Sequence, residues 1–75
     1  MNVDKLAIAE RIRMLRAQKK IKQVDLVSLI GIKNGTLSMI ERGDQMPTIP
    51  QIAALSEFFN VSIDYLVKGS KDCVA

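Results

Sequence analysis

The sequence has no histidine and a single cysteine, Cys73. Together these exclude an internal disulfide and a zinc site built from the usual imidazole and thiolate ligands. They also remove the commonest general base, and with no serine set beside a substitute base, nucleophilic catalysis has no machinery to use. No glycine-rich phosphate loop occurs. No enzyme, metal or cofactor is expected. Long apolar runs are missing too: the first fifteen residues already carry Asp4, Lys5, Glu10, Arg11 and Arg13. Neither a signal peptide nor a membrane span fits such a start. Cys73 lies third from the end, whereas a prenylation motif needs it fourth. The expected setting is the reducing cytoplasm, with no membrane partner.

What is present suits one small globular domain. Of 75 residues, 48% are hydrophobic and 25% charged, a balance richer in apolar residues than disordered chains show. The net charge of +3 is modest; its distribution says more. Arg11, Arg13, Arg16, Lys19, Lys20 and Lys22 fall within twelve residues that contain no acid, while Glu57 and Asp64 make the C-terminal part mildly acidic. One positive side, as a phosphate-facing surface requires, is the expectation.

Periodicity predicts five helices and no strand. Ile8, Ile12 and Leu15 form the inner stripe of a first helix between Met1 and Lys20, with Leu6 and Ala9 flanking it. Lys19 and Lys20 suit the negative end of its dipole, and Ile21 is expected to fold back on the core. A second helix runs from Gln23 to Ile30, with Gly31 as its left-handed cap. A third spans Asn34 to Arg42, capped by Asn34 and stopped by Gly43; Leu37 and Ile40 point inward, and Thr36, Ser38 and Met39 largely outward. Thr48 to Gln51 reads as a capping box opening a fourth helix, with Ile52, Leu55 and Phe59 inside and Asn60 as its left-handed end. Ser62 caps a last helix carrying Ile63, Leu66 and Val67, and Asp64 suits its first turn. The domain is placed at 1–67 and a loose tail at 68–75. The fold class is all-α, a compact five-helix bundle.

The spacing of Gln23, Leu26, Val27, Ile30, Gly31, Ile32, Leu37 and Ile40 suits a helix-turn-helix over 23–42. Its apolar positions seal two helices across a tight turn, leaving the second proud enough to enter a major groove about 12 Å wide. Adding Ile12 and Arg16, the run Ile40-Glu41-Arg42-Gly43, Pro47, and Val61, Ser62, Asp64 and Leu66, the sequence resembles the Cro/C1-type (XRE-like) helix-turn-helix family of phage-repressor-like domains over about residues 8–67. The resemblance implies a lambda-repressor-like fold and double-stranded DNA as partner. It implies a structural ion pair between Arg16 and Glu41, and a Gln23 that touches phosphate and a neighbouring side chain or base; an exposed glutamine at a helix start is the plain alternative. By family position, the DNA-binding candidates are Lys22, Gln23, Lys33, Asn34, Gly35, Thr36, Ser38, Met39 and Arg42. Asn34 suits bidentate contact with adenine, Lys33 suits guanine or phosphate, and Thr36 suits a thymine methyl. Gly35 either admits close backbone approach or only loosens the helix start. Met39 either touches a thymine methyl or is a tolerated surface residue.

Some positions depart from the family pattern. Val27 stands where alanine is usual, Lys33 replaces a Ser or Thr cap, and Asp44 follows the third helix where more basic residues are common. Leu29 and Phe58 occupy usually polar or small positions, and Phe58 with the last helix is a candidate dimer surface. The expected function is sequence-specific transcriptional regulation, typically repression, by a homodimer reading operator half-sites through the third helix. The alternative is a protein-interaction module, or an antitoxin-type partner-binding protein, on the same fold.

Overall fold

Short-range backbone chemistry fixes where each helix starts and stops. A computed structural model of the chain describes residues 4–69, which form α1 (Lys5–Lys19), α2 (Gln23–Ile30), α3 (Asn34–Arg42), α4 (Ile49–Phe59) and α5 (Ile63–Lys68), with no strand among the described residues. At the start of α4 the Thr48 hydroxyl accepts from the Gln51 backbone N–H, and Gln51 Oε1 accepts from the Thr48 backbone N–H. This reciprocal cap satisfies two amides that have no helical partner. Ser62 Oγ likewise accepts from the Tyr65 N–H at 2.9 Å. Helix α2 ends at Gly31 with φ +75° and α3 at Gly43 with φ +79°, a region where a Cβ is penalised. Asn60 closes α4 in the same region, at φ +57°.

Three ends differ from the sequence reading. Asp4, not singled out by the periodicity, caps α1 by accepting from the Leu6 N–H at 2.9 Å. Lys20 is not part of the last turn of α1; it is the left-handed residue that closes it, at φ +55°. Asn34 is not the cap of α3. Lys33 holds the extended cap conformation, with its carbonyl accepting from the Leu37 N–H, and Asn34 is already helical. No side chain caps this end, because the lysine ammonium cannot accept. The tail expected at 68–75 lies outside the described residues beyond Gly69, as do Cys73 and Met1.

The core is one cluster. Ile8 and Ile12 of α1, Leu26 and Val27 of α2, Leu37 and Ile40 of α3, Ile52, Leu55 and Phe59 of α4, and Leu66 of α5 are buried together. Ile21 and Ile32 pack against it from the connections and Ile30 from the last turn of α2, so both turns around α2 are pinned by apolar contacts. Two stripe residues stay outside: Leu6 is 64% exposed, lying over Gly43 at the edge of the α1–α3 contact, and Ile63 is 43% exposed. Each begins a helix, where only the following turns are covered by neighbours.

The basic run does not make one uninterrupted positive side. Three of its six members reach inward to backbone carbonyls: Arg11 Nη1 donates to the Leu66 carbonyl at 2.8 Å, Arg13 Nη1 to the Glu41 carbonyl, and Arg16 Nη1 to the Ile21 carbonyl at 3.0 Å. The first two carbonyls belong to the last turns of α5 and α3, which lack helical donors and carry the negative end of the dipole. Three arginines on one helix thus fasten three separate parts of the chain to α1.

Candidate nucleic-acid interface

Helix α3 is held against the body by a polar network at the junction of α1, α2 and α3. Glu41, near the C-terminus of α3, is the only buried charged residue among those described, at 3% exposure. Such a group persists only if its oxygens are fully used. Arg16 Nε donates to Oε2 at 2.8 Å and Arg16 Nη2 to Oε1 at 3.0 Å, the two-pronged geometry that best offsets desolvation. Gln23 Nε2 donates to the same Oε1 at 2.9 Å, and Gln23 Oε1 accepts from Ser38 Oγ at 3.0 Å. Among the described residues no buried side-chain nitrogen or oxygen is left without a partner.

This chain of bonds gives Gln23 the neighbouring side-chain contact that the resemblance implied, and it assigns internal work to Ser38, which the sequence reading placed only at the DNA. Gln23 is half-buried, and both ends of its amide are engaged within the domain, with one N–H of the amide left over. Ser38 is half-buried and gives its single proton to Gln23. Spacing could not reveal the link, since the two lie fifteen residues apart on different helices.

The remaining candidates form the outer row of the motif. Lys22 and Lys33 are the exposed cap residues of α2 and α3, so both ammonium groups stand where these helices begin. Asn34 and Gly35 are exposed, Met39 is 38% exposed, and Thr36 is half-buried, less outward than its spacing suggested. Arg42 is exposed and donates to Asp44 at 3.0 Å. An exposed pair of this kind contributes at most about 1 kcal/mol, so a phosphate can displace the carboxylate.

Two hollows lie elsewhere on the surface, the first apolar and the second mixed in character. One is lined by Ile8, Met46, Pro47, Ile49, Ile52, Ile63 and Val67, and Ile49 on its rim is 80% exposed. The other is lined by Leu29, Ile30, Ala54, Glu57 and Phe58. Phe58 therefore shares a surface with α2 rather than with α5, correcting the patch expected from the sequence. It is half-buried, edge-on to Phe59 at 5.1 Å with Lys19 Nζ 5.6 Å from its ring centre. Leu29 is 64% exposed. No described helix is long and apolar enough to cross a membrane.

Comparison with known proteins adds to this geometry. A family model described as helix-turn-helix matches residues 12–66. Repressor protein C2 of Salmonella phage P22 is 39% identical over 62 residues, covering 83% of this chain and 29% of that protein. The HTH-type transcriptional regulator DicA of Escherichia coli (strain K12) is 35% identical over 72 residues, covering 96% of this chain and 53% of that protein. The chain thus spans about half or less of the length of these relatives. Among solved structures, the P22 c2 repressor in complex with synthetic operator 9T aligns with a TM-score of 0.80 at 38% identity, covering 84% of this chain and 96% of that chain. The restriction-modification controller protein C.AhdI from Aeromonas hydrophila aligns with a TM-score of 0.77 at 25% identity, with the same two coverages.

Proposed function

The chain belongs to the Cro/C1-type helix-turn-helix family, and from that premise we propose that it is a sequence-specific double-stranded DNA-binding transcriptional regulator, a repressor acting in the cytoplasm. The observation that carries the proposal is the division of α3 into two faces. Its inner side is fixed by Leu37, Ile40 and the Arg16–Glu41–Gln23–Ser38 network, while Asn34, Gly35 and Met39 are left exposed beside Lys33 and Arg42. A rigidly seated helix with an uncommitted polar face is what reading base edges in a major groove requires. Lys22, Lys33, Arg42 and the remaining N–H of Gln23 take phosphates; Asn34, Thr36 and Met39 face bases, and Ser38 acts chiefly by orienting Gln23. No catalysis is part of this reading.

Selection from randomised duplexes at two salt concentrations, read by fluorescence anisotropy and sequencing, tests it. An inverted repeat should be enriched. Three cation–phosphate contacts per half-site, from Lys22, Lys33 and Arg42, would lower affinity roughly 40-fold for a four-fold rise in salt. Asn34→Ala with Thr36→Ala should lose the preferred sequence and keep most salt-dependent, non-specific binding. Absence of binding at low salt would defeat the proposal.

The homodimer uses the hollow beside Ile49. A two-fold interface must be self-complementary, and this surface offers both an 80% exposed isoleucine and, next to it, an apolar recess of about 380 Å³. Ile49→Glu should leave the fold intact, because its side chain is exposed, and yield monomers by sedimentation with binding to single half-sites only. A dimer surviving this change would assign the interface elsewhere.

A further inference from the structure

The end of α3 carries an acid in a stretch of chain that is otherwise short of them. Between Leu26 and Ser56 the acidic residues are Glu41 and Asp44, and the basic ones are Lys33 and Arg42. Glu41 is buried and engaged by Arg16 and Gln23, so Asp44 is the one carboxylate of this stretch that stands in solvent. Its Oδ2 accepts from Arg42 Nε at 3.0 Å, and both side chains are more than half exposed. To a guanidinium, a carboxylate and a DNA phosphate are acceptors of the same kind. A phosphate approaching Arg42 therefore meets a site already filled.

The pair is built into the end of the helix rather than formed by a loose loop. The Asp44 backbone N–H donates to the Met39 carbonyl at 2.9 Å and the Gly43 N–H to the Ile40 carbonyl at 3.1 Å, the two bonds that close α3. Gly43 lies under Leu6 of α1, whose Cδ2 would stand 2.4 Å from a Cβ built on the glycine. The turn is thus pinned by α3 on one side and α1 on the other. Aspartate carries its carboxylate close to the backbone, so fixing this backbone holds the acceptor beside Arg42.

We infer that Asp44 sets the affinity of the domain for DNA by competing for Arg42: it occupies the guanidinium in the free protein, and phosphate must displace it. This rests on the DNA-binding reading above. An exposed pair is weak enough to be displaced, so the competition lowers affinity on every duplex without abolishing it. What is lowered is the phosphate contact, which carries no sequence information; the base contacts assigned to Asn34 and Thr36 are untouched.

A double-mutant cycle on the full chain tests this, with affinities for a random duplex and for the selected duplex measured by anisotropy at about 0.15 M salt, where charges more than about 8 Å apart are largely screened. Asp44→Asn should tighten both about three- to five-fold per half-site and leave the selected sequence unchanged. In an Arg42→Gln background the same change should alter affinity by less than about 1.5-fold, because there is no guanidinium left to withhold. Thermal midpoints should stay within about 2 °C throughout, since both side chains are exposed. Equal tightening in the two backgrounds would mean that Asp44 simply repels phosphate, and it would overturn the inference, as would no tightening when Arg42 is present. Failure of the unaltered protein to bind any duplex defeats the DNA-binding reading and the competition with it.

Discussion

Replacing Glu41 with alanine should cost about 3 kcal/mol of folding stability, seen as a lower urea midpoint with unchanged slope. The carboxylate is 3% exposed and receives three hydrogen bonds, from two nitrogens of Arg16 and from Gln23. Its removal leaves the Arg16 guanidinium short of its partner and the Gln23 amide without an acceptor. Because the Arg16 side chain keeps 24% of its exposure, water relieves part of the loss, which places the effect at the lower end for buried pairs. A domain of this size holds roughly 4–11 kcal/mol in total, so the variant should fold but with little reserve. The combined change Arg16→Met with Glu41→Leu should cost less than Glu41→Ala alone, since it removes the orphaned charge together with the pair. If the double variant were the less stable, the pair itself, rather than the penalty of breaking it, would be the source of stability.

Leu37→Ala should be comparably damaging, at about 2–5 kcal/mol, or a fall in Tm of at least about 8 °C. Leu37 is fully buried on the inner side of α3, whose packing partners are α1 and α2, and neither neighbour is free to collapse inward. The arginine bonds and Gly31 turn hold them in place. Ile40→Val, which deletes one methylene beside it, should cost about 0.5–1.5 kcal/mol. Equal losses from the two changes would mean that the region relaxes and that α3 is not rigidly seated. DNA affinity should follow the same order in calorimetric titration, because the helix that would read the groove is the one being loosened.

The sequence disclosed most about features decided within a few residues. Gln23–Ile30 followed by Gly31, the Thr48–Gln51 box and the Ser62 cap each depend on local backbone chemistry, and all three are found as expected. The lysine-capped start of α3 was misplaced by one residue, because Asn34 is the better capping type and nothing local shows that Lys33 takes the position without any side-chain bond. Residues that join distant parts of the chain were least legible. Arg11 and Leu66 are 55 positions apart and Arg13 and Glu41 are 28, so a charge run that looks like a surface resolves only after folding into internal bonds. The Arg16–Glu41 pair and a side-chain contact of Gln23 were anticipated through family resemblance; that Glu41 is the partner of Gln23, and that Ser38 joins them, had no such signal. Phe58 belonged to the wrong neighbour for the same reason, since its position along α4 does not say whether α2 or α5 covers it.

The carbonyl held by Arg11 alters how the molecule can open. A six-residue helix at the end of the described chain, such as α5, would ordinarily fray on its own at almost no cost. Here its last turn is fastened to α1, and α1 in turn holds the end of α3 and the turn before α2. Loosening α5 therefore leaves Arg11, on the helix on which the others depend, without its acceptor. Separate local openings are thereby coupled, and in hydrogen exchange the backbone amides of α5 should be protected more than those of a freely fraying terminal helix.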